Sequence, residues 1–331
     1  MATSVEIHIP ASPNQRFANM LFFLVHSIAD RSGLRGDWRV VVTQGRDGIW
    51  TGDHPRLAWA RDFPVEFRQA DATLLAEFEA QAKQRAVPGY IYNAPIFDQL
   101  TMKYSADAVV FIDADTVVTR GIDQLIDQVV AENCLAAKPA WQPPPLDMDA
   151  IIADNGLRYS GPPVEYSGYG WAFAEPRFGP PYLNAGFMVA SREMANRLQA
   201  DLRNDFLIVA KKYPGHYVWQ VAQCLTMIRQ SIPLKPLDER FNFGIGPDAP
   251  PFVGGDEGAR LERAIQDQAA DIRVLHYCTP TPNFRRDRVM ASDEELAQFL
   301  ATDTLDIGAA MLRQAFLPYR RHWEQSLTAG R

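Results

Sequence analysis

Two hydrophobic periods alternate along this chain, and they predict its elements. EIHIP (6–10) and WRVVVTQG (38–45) are short runs rich in β-branched residues that read as strands. Between them the loop ASPNQ leads into ANMLFFLVHSIA (18–29), a buried helix. That apolar run includes His26 and is too short to span a bilayer. Residues 46–70 show no clear period and read as irregular. DATLLAEFEAQAKQRA (71–86) is predicted as a helix with Asp71 as its N-cap. VVFIDADT is a buried strand. In GIDQLIDQVVAEN, residues Ile122, Leu125, Ile126, Val129 and Val130 follow helical spacing, and CLAAKPA (134–140) is the next strand.

The pattern breaks over 141–181, a long segment rich in Pro, Gly, Tyr and Trp. A loop of this length in a compact domain is usually functional or unstructured, and its aromatic content argues against the second. It reads either as a platform for sugar rings or as an excursion that covers the core. YLNAGFMVAS (182–191) resumes as a strand, with Ser191 placed to cap a following helix. HYVWQVAQCLTMIRQ (216–230) is helical, LKPLDERFNFG (234–244) is strand and loop, and DIRVLHYCT (271–279) holds a late strand. SDEE (292–295) fits a capping box before LAQFLA, and a further helical stretch runs to about Ser326. Strand, helix, strand at the start points to a doubly wound α/β sheet. We expect one domain over 1–290 and a helical extension over 291–331.

Composition narrows the classes. The chain has 331 residues, 47% of them apolar, enough for a substantial core, and carries a net charge of −7. Without a basic block, nucleic acid is not an expected partner. Cys134, Cys224 and Cys278 are far apart, which fits neither a disulfide framework nor a zinc site and is compatible with a reducing, cytoplasmic setting. The N-terminus has no signal-peptide pattern. GGDEG (254–258) reads as a turn and an N-cap rather than a cyclase hallmark. GYGWAF (168–173) lacks the third glycine of a dinucleotide fingerprint.

The chemistry concentrates in VVFIDADTVVT (109–119). On a strand, Asp113 and Asp115 fall on one face, with Ile112 and Ala114 on the other. Two like charges so close repel and raise each other's pKa, a cost that a hard divalent cation removes. Read alone, the pair fits either a metal site or a solvated turn.

Four islands resemble the retaining glycosyltransferases of family 8, the glycogenin and lipopolysaccharide galactosyltransferase group, which have the GT-A fold. FIDADTVV is similar to that family's L-D-A-D-T strand, and YLNAGFMVAS to its F-N-S/A-G-V-L strand. PLDERFNF is similar to its L-P-x-x-x-N segment, and LHYCTPTPNF to its H-F-x-G-x-x-K-P-W motif. The resemblance covers roughly 170 residues in matching order. It implies a GT-A doubly wound mixed sheet with flanking helices, and a nucleoside-diphosphate sugar as donor, with a UDP-sugar favoured. It further implies a glycan, lipid-linked or protein acceptor, and Mn²⁺ or Mg²⁺ held by Asp113, Asp115 and His276. A homo-oligomer stays open.

The resemblance also assigns roles. Asn184 matches an asparagine near the donor sugar, and Gln223 a glutamine near the reacting carbon. Asp113, Ala114 and Asp115 meet the donor, and Lys103 is the nearest candidate for a basic residue upstream. The family's late lysine is missing, and Arg285 or Arg286 would replace it at the diphosphate. Ala222 and Cys224 stand where the family has acids beside its glutamine, which leaves the donor sugar open. The first loop lacks the family's acidic nucleotide signature. Transfer with retention is the implied reaction. Inversion would need a general base such as Asp238 or Glu239. A nucleotidylyltransferase would want a glycine-rich loop that HIPASPNQ lacks, and a binding protein without turnover would also fit the missing acids.

Overall fold

A computed structural model describes residues 3–45, 48–51, 53–85, 93–140, 144–166, 177–212, 218–245, 271–278, 280–302 and 306–329. The motifs GYGWAF and GGDEG lie outside these residues. Seven strands form the main sheet in the order β10-β6-β9-β4-β1-β2-β3. They are β1 (Val5–Ala11), β2 (Trp38–Gln44), β3 (Val65–Gln69), β4 (Ala108–Ile112), β6 (Leu135–Pro139), β9 (Leu183–Ser191) and β10 (Leu234–Pro236). All run parallel except β9, which is antiparallel to both β4 and β6. A smaller sheet joins β5 (Thr116–Val118), β11 (Phe243–Gly244) and β12 (Val274–His276). β7 (Val164–Tyr166) and β8 (Arg177–Gly179) pair as an antiparallel ribbon.

Both faces of the main sheet are covered, so its central strands are apolar on both sides. Ile7, Val110 and Val189 face a core that includes α1 (Gln15–Arg31) and α4 (Asp123–Glu132). Val109, Phe111 and Met188 face α2 (Ala72–Arg85), α3 (Asn93–Leu100), α6 (Arg192–Lys212) and α7 (Val218–Arg229). The expected mixed sheet with flanking helices is what the chain forms. The expected caps are there too. Asp71 Oδ1 accepts from the backbone N of Thr73 and Leu74 at 2.9 and 3.0 Å, and Ser292 Oγ from Glu295 N at 3.3 Å.

Residues 46–70 depart from the expectation, since β3 pairs with β2 there. VEFRQ is an edge strand with neither face fully buried, so it carries no clean alternation. The segment 141–181 also contains more structure than a loop: α5 (Met148–Asp154) and the β7–β8 ribbon.

The C-terminal segment closes on the first helix. It contains α8 (Arg286–Val289), α9 (Asp293–Ala301), α10 (Ile307–Phe316) and α11 (Arg320–Ala329). Phe316 stacks on Phe23 with centroids 4.1 Å apart, and Trp323 Nε1 donates to Asn19 Oδ1 at 3.0 Å. Asn19 Nδ2 in turn donates to Met290 O at 3.0 Å, which ties α1 to the end of α8. Leu296, Phe299, Phe316 and Trp323 share the core of α1 and the sheet.

Candidate metal and nucleotide site

The carboxyl ends of β1 and β4 lie side by side because the two strands are parallel neighbours. The reversed strand β9 brings its amino end to the same edge, where Asp113 N donates to Gly186 O at 3.0 Å. Edges of this kind are where open α/β sheets bind ligands. A cleft of about 260 Å³ opens here, lined among others by Ser12, Arg16, Asn93, Asp113, Asp115 and Arg286.

The two aspartates are not on a strand. β4 stops at Ile112, and Asp113–Ala114–Asp115 make a turn into β5. Thr116 Oγ1 donates to Asp113 O at 2.6 Å and closes that turn. The carboxylates therefore converge through the turn and not through strand alternation. β5 then pairs with β12, setting Thr116 opposite His276. That pairing delivers the imidazole. His276 Nε2 lies 3.3 Å from Asp115 Oδ1 and 3.8 Å from Asp113 Oδ2. One ligand atom from each of the three residues fits within a 4.8 Å span.

Charge balance in this cluster is incomplete. The Arg286 guanidinium binds Asp115 Oδ2 through Nη1, and Asp113 has no such partner among the described residues. Burial and the Asp115 charge push Asp113 up to about 7. Burial also works against a charge on Asp115, but His276 and Arg286 outweigh it and hold that carboxyl well below the usual range. His276 is opposed by burial in the same way, yet Cys278 and Asp115 hold its pKa well above the ordinary imidazole value.

The donor set passes a test for a divalent cation. Two carboxylates and an imidazole are suitable ligands for Mn²⁺ or Mg²⁺, and His276 Nε2 is buried without a hydrogen-bond partner. Its other nitrogen is committed, since His276 Nδ1 lies 2.9 Å from Asn242 Oδ1. Gly186 is required for this packing: a Cβ there would lie 2.5 Å from the imidazole ring.

The other expected residues separate into those near the cluster and those away from it. Asn184 is buried and accepts at Oδ1 from Asn242 Nδ2 at 3.1 Å, one residue removed from His276. Ala114 lines the cleft. Gln223 is buried on α7, donates to Met188 Sδ at 3.1 Å and leaves its Oε1 without a partner. It is not among the residues lining the cleft with the carboxylates. Lys103 is exposed and precedes β4, so roughly 17 Å of strand separates it from Asp113 at the opposite edge. It does not join the site. Arg285 is exposed and N-caps α8, whereas Arg286 turns onto Asp115 and into the cleft. Arg16 and Asn242 also join the site without having been expected there. Arg16 lies in no sequence pattern that marks it; Asn242 ends the L-P-x-x-x-N-like segment, and only its place in space gives it a role.

The suggested bases for inversion are otherwise engaged. Asp238 caps a short turn and pairs with Arg240, and Glu239 pairs with buried Lys138.

No protein-family model matches the sequence, and no curated protein does. Solved structures do match. An active-site glutamine-to-glutamate mutant of LgtC superimposes with a TM-score of 0.54 at 17% identity, covering 91% of this chain and 98% of LgtC. A galactosyltransferase LgtC complex with donor and acceptor sugar analogues gives 0.52 at 16% identity, with the same coverage. The fold is that of LgtC. The GT-A architecture implied by the four sequence islands is thereby borne out, with the likeness spanning 91% of the chain. Among the described residues no helix is long and apolar enough to cross a membrane.

Proposed function

We propose that this protein is a metal-dependent glycosyltransferase that moves a sugar from a nucleoside diphosphate, with UDP favoured, to a glycan, lipid-linked or protein acceptor. The observation that carries this reading is the convergence of Asp113, Asp115 and the partnerless Nε2 of His276 beside a cleft, in a fold shared with LgtC. These three residues would hold Mn²⁺ or Mg²⁺. When bound, that ion supplies positive charge where the departing diphosphate gains negative charge.

The chain's own residues do the rest. Arg286 reaches the cleft from the start of α8 and meets phosphate oxygens in place of the missing lysine, and Arg16, paired with the neighbouring Asp287, also lines the cleft. Asn184 and Gln223 border the sugar; the unpartnered Oε1 of Gln223 is an acceptor that the fold leaves free. The segment 141–181 shapes the acceptor side. Among the described residues both candidate bases for inversion sit in ion pairs, which supports transfer with retention, the leaving phosphate assisting deprotonation of the acceptor.

A second reading has one observation in its favour. Cys224 and Ala222 flank Gln223 as buried, uncharged side chains where acids would recognise sugar hydroxyls. A protein that binds the nucleotide without turnover fits that change. Calorimetric titration of UDP with and without Mn²⁺, on wild type and Asp115→Ala, tests the site. Binding that needs both the ion and Asp115 supports it, and no binding in any combination refutes it. A screen of UDP-sugars for hydrolysis then separates the transferase from the binder.

A further inference from the structure

We infer that Asn242 is a positioning residue that sets which nitrogen of His276 is open to a ligand, and that the signal originates in the backbone of β9. The inference deepens the proposed metal site and rests on it only for the identity of the ligand.

The argument follows the protons. Gly186 N–H is a donor whose polarity cannot be reversed, and it points at the Asn184 side-chain oxygen at 2.9 Å. That contact fixes the Asn184 amide with Oδ1 toward Gly186. The same Oδ1 meets the Asn242 side chain at 3.1 Å, so Asn242 must present its NH₂ there. Its own Oδ1 is then turned to His276 Nδ1, 2.9 Å away, and can only accept. Nδ1 therefore keeps its proton, and in the neutral ring Nε2 is the nitrogen left open to a ligand beside Asp113 and Asp115. Four groups on three separate chain segments form one directional series: Gly186 N–H to Asn184, Asn184 from Asn242, Asn242 from His276.

Burial makes the series rigid. Asn184, Asn242 and His276 are 8%, 2% and 5% exposed, so water does not compete for their amides and ring. Lys138 Nζ donates to Asn242 O at 3.4 Å, and the same ammonium binds Glu239, which anchors the backbone that carries Asn242. A ligating histidine whose second nitrogen is held in this way keeps its ring orientation and tautomer, and outer partners of this kind typically change ion affinity by about 10- to 100-fold when removed.

The test uses the full-length protein with ¹⁵N-labelled histidine. In metal-free protein, in alkaline buffer where the ring is neutral, His276 should show the Nδ1–H form in wild type. Asn242→Leu, which has no acceptor, should lose that preference and bind Mn²⁺ about 10-fold or more weakly by calorimetry. Asn242→Asp keeps an acceptor for Nδ1–H and should retain the tautomer and near-normal ion affinity even if its melting temperature falls. An Nε2–H form in wild type overturns the inference. So does an Asn242→Leu protein with unchanged tautomer, or an Asn242→Asp protein that fails as completely as Asn242→Leu while folded. If wild type binds no ion, the metal reading fails, and the metal-free spectrum still decides the role of Asn242.

Discussion

Two buried carboxylate groupings in this molecule obey opposite rules. Between α6 and α7, Asp205 is fully buried and both of its oxygens have donors. Thr226 Oγ1 donates to Oδ2 at 2.9 Å, and Arg229 donates to Oδ1 through Nη2 at 2.8 Å and through Nε at 3.2 Å. At the sheet edge, the one guanidinium binds Asp115 alone, and the buried His276 Nε2, 3.3 Å from Asp115 and 3.8 Å from Asp113, makes no aligned hydrogen bond to either. The first grouping is complete within the chain and locks two helices together. The second is left incomplete by the described residues, which is what the proposed ion would remedy. Incomplete satisfaction of buried polar groups, more than the presence of charge, separates a binding site from a structural ion pair.

The contrast can be broken in several ways. The largest effect is expected from Asp115→Ala, which should lower sugar transfer or UDP-sugar hydrolysis by about 10³-fold, the equivalent of roughly 4 kcal/mol of lost charge stabilisation. Steady-state kinetics with the responsive UDP-sugar reads it. Asp205→Ala should do the reverse. It should cost about 3 kcal/mol of stability in urea unfolding, because Arg229 loses its partner, while UDP binding in the folded protein stays near wild type. If Asp205→Ala instead abolished binding and left stability intact, the division between the two groupings would be wrong.

A smaller effect belongs to Arg286. Arg286→Ala should weaken UDP binding by about 10-fold, measured by calorimetry with Mn²⁺ present, with less effect on ion binding alone. The last is a pH effect. Asp113 is raised from 3.8 to about 7, so between those values the unfolded chain has released a proton that the folded, metal-free protein still holds. The Asp113 contribution to metal-free stability should therefore fall as pH rises across that window, and Asp113→Asn should flatten the trend in a series of thermal melts. Mn²⁺ affinity should run the other way, rising as pH climbs through about 7, because the ion must displace that proton.

Local features of this structure were legible in the sequence, and features that depend on distant pairing were not. Asp113 and Asp115 stood out because two carboxylates end one apolar run, although the turn that aims them was read as strand. His276 gained a role from the order of motifs, since nothing around VLHYC marks it by itself. The tie between Asn242 and His276 arises because β11 and β12 run parallel, a pairing no local pattern encodes. Arg285 and Arg286 are adjacent, and only the start of α8 decides which one turns inward. Lys103 was chosen for proximity in sequence, which carries no information about which edge of a sheet a residue occupies. β3 was hidden by its exposure, and α3 by its brevity and by Pro95 in its first turn.

The embrace between α1 and α11 has a consequence for how the molecule is made. Asn19 and Trp323 are 304 positions apart, and Asn19 also holds the end of the helix that begins with Arg286. During synthesis, the helix that follows the first strand emerges early and can pack on the sheet, yet the part of its apolar face around Phe23 stays uncovered until nearly the whole chain has left the ribosome. Phe23 waits for Phe316, and Arg286 waits for both. The nascent chain thus carries an exposed patch around Phe23 for most of translation, at roughly 5–20 residues per second. The contact of Arg286 with Asp115 is therefore among the last features it acquires.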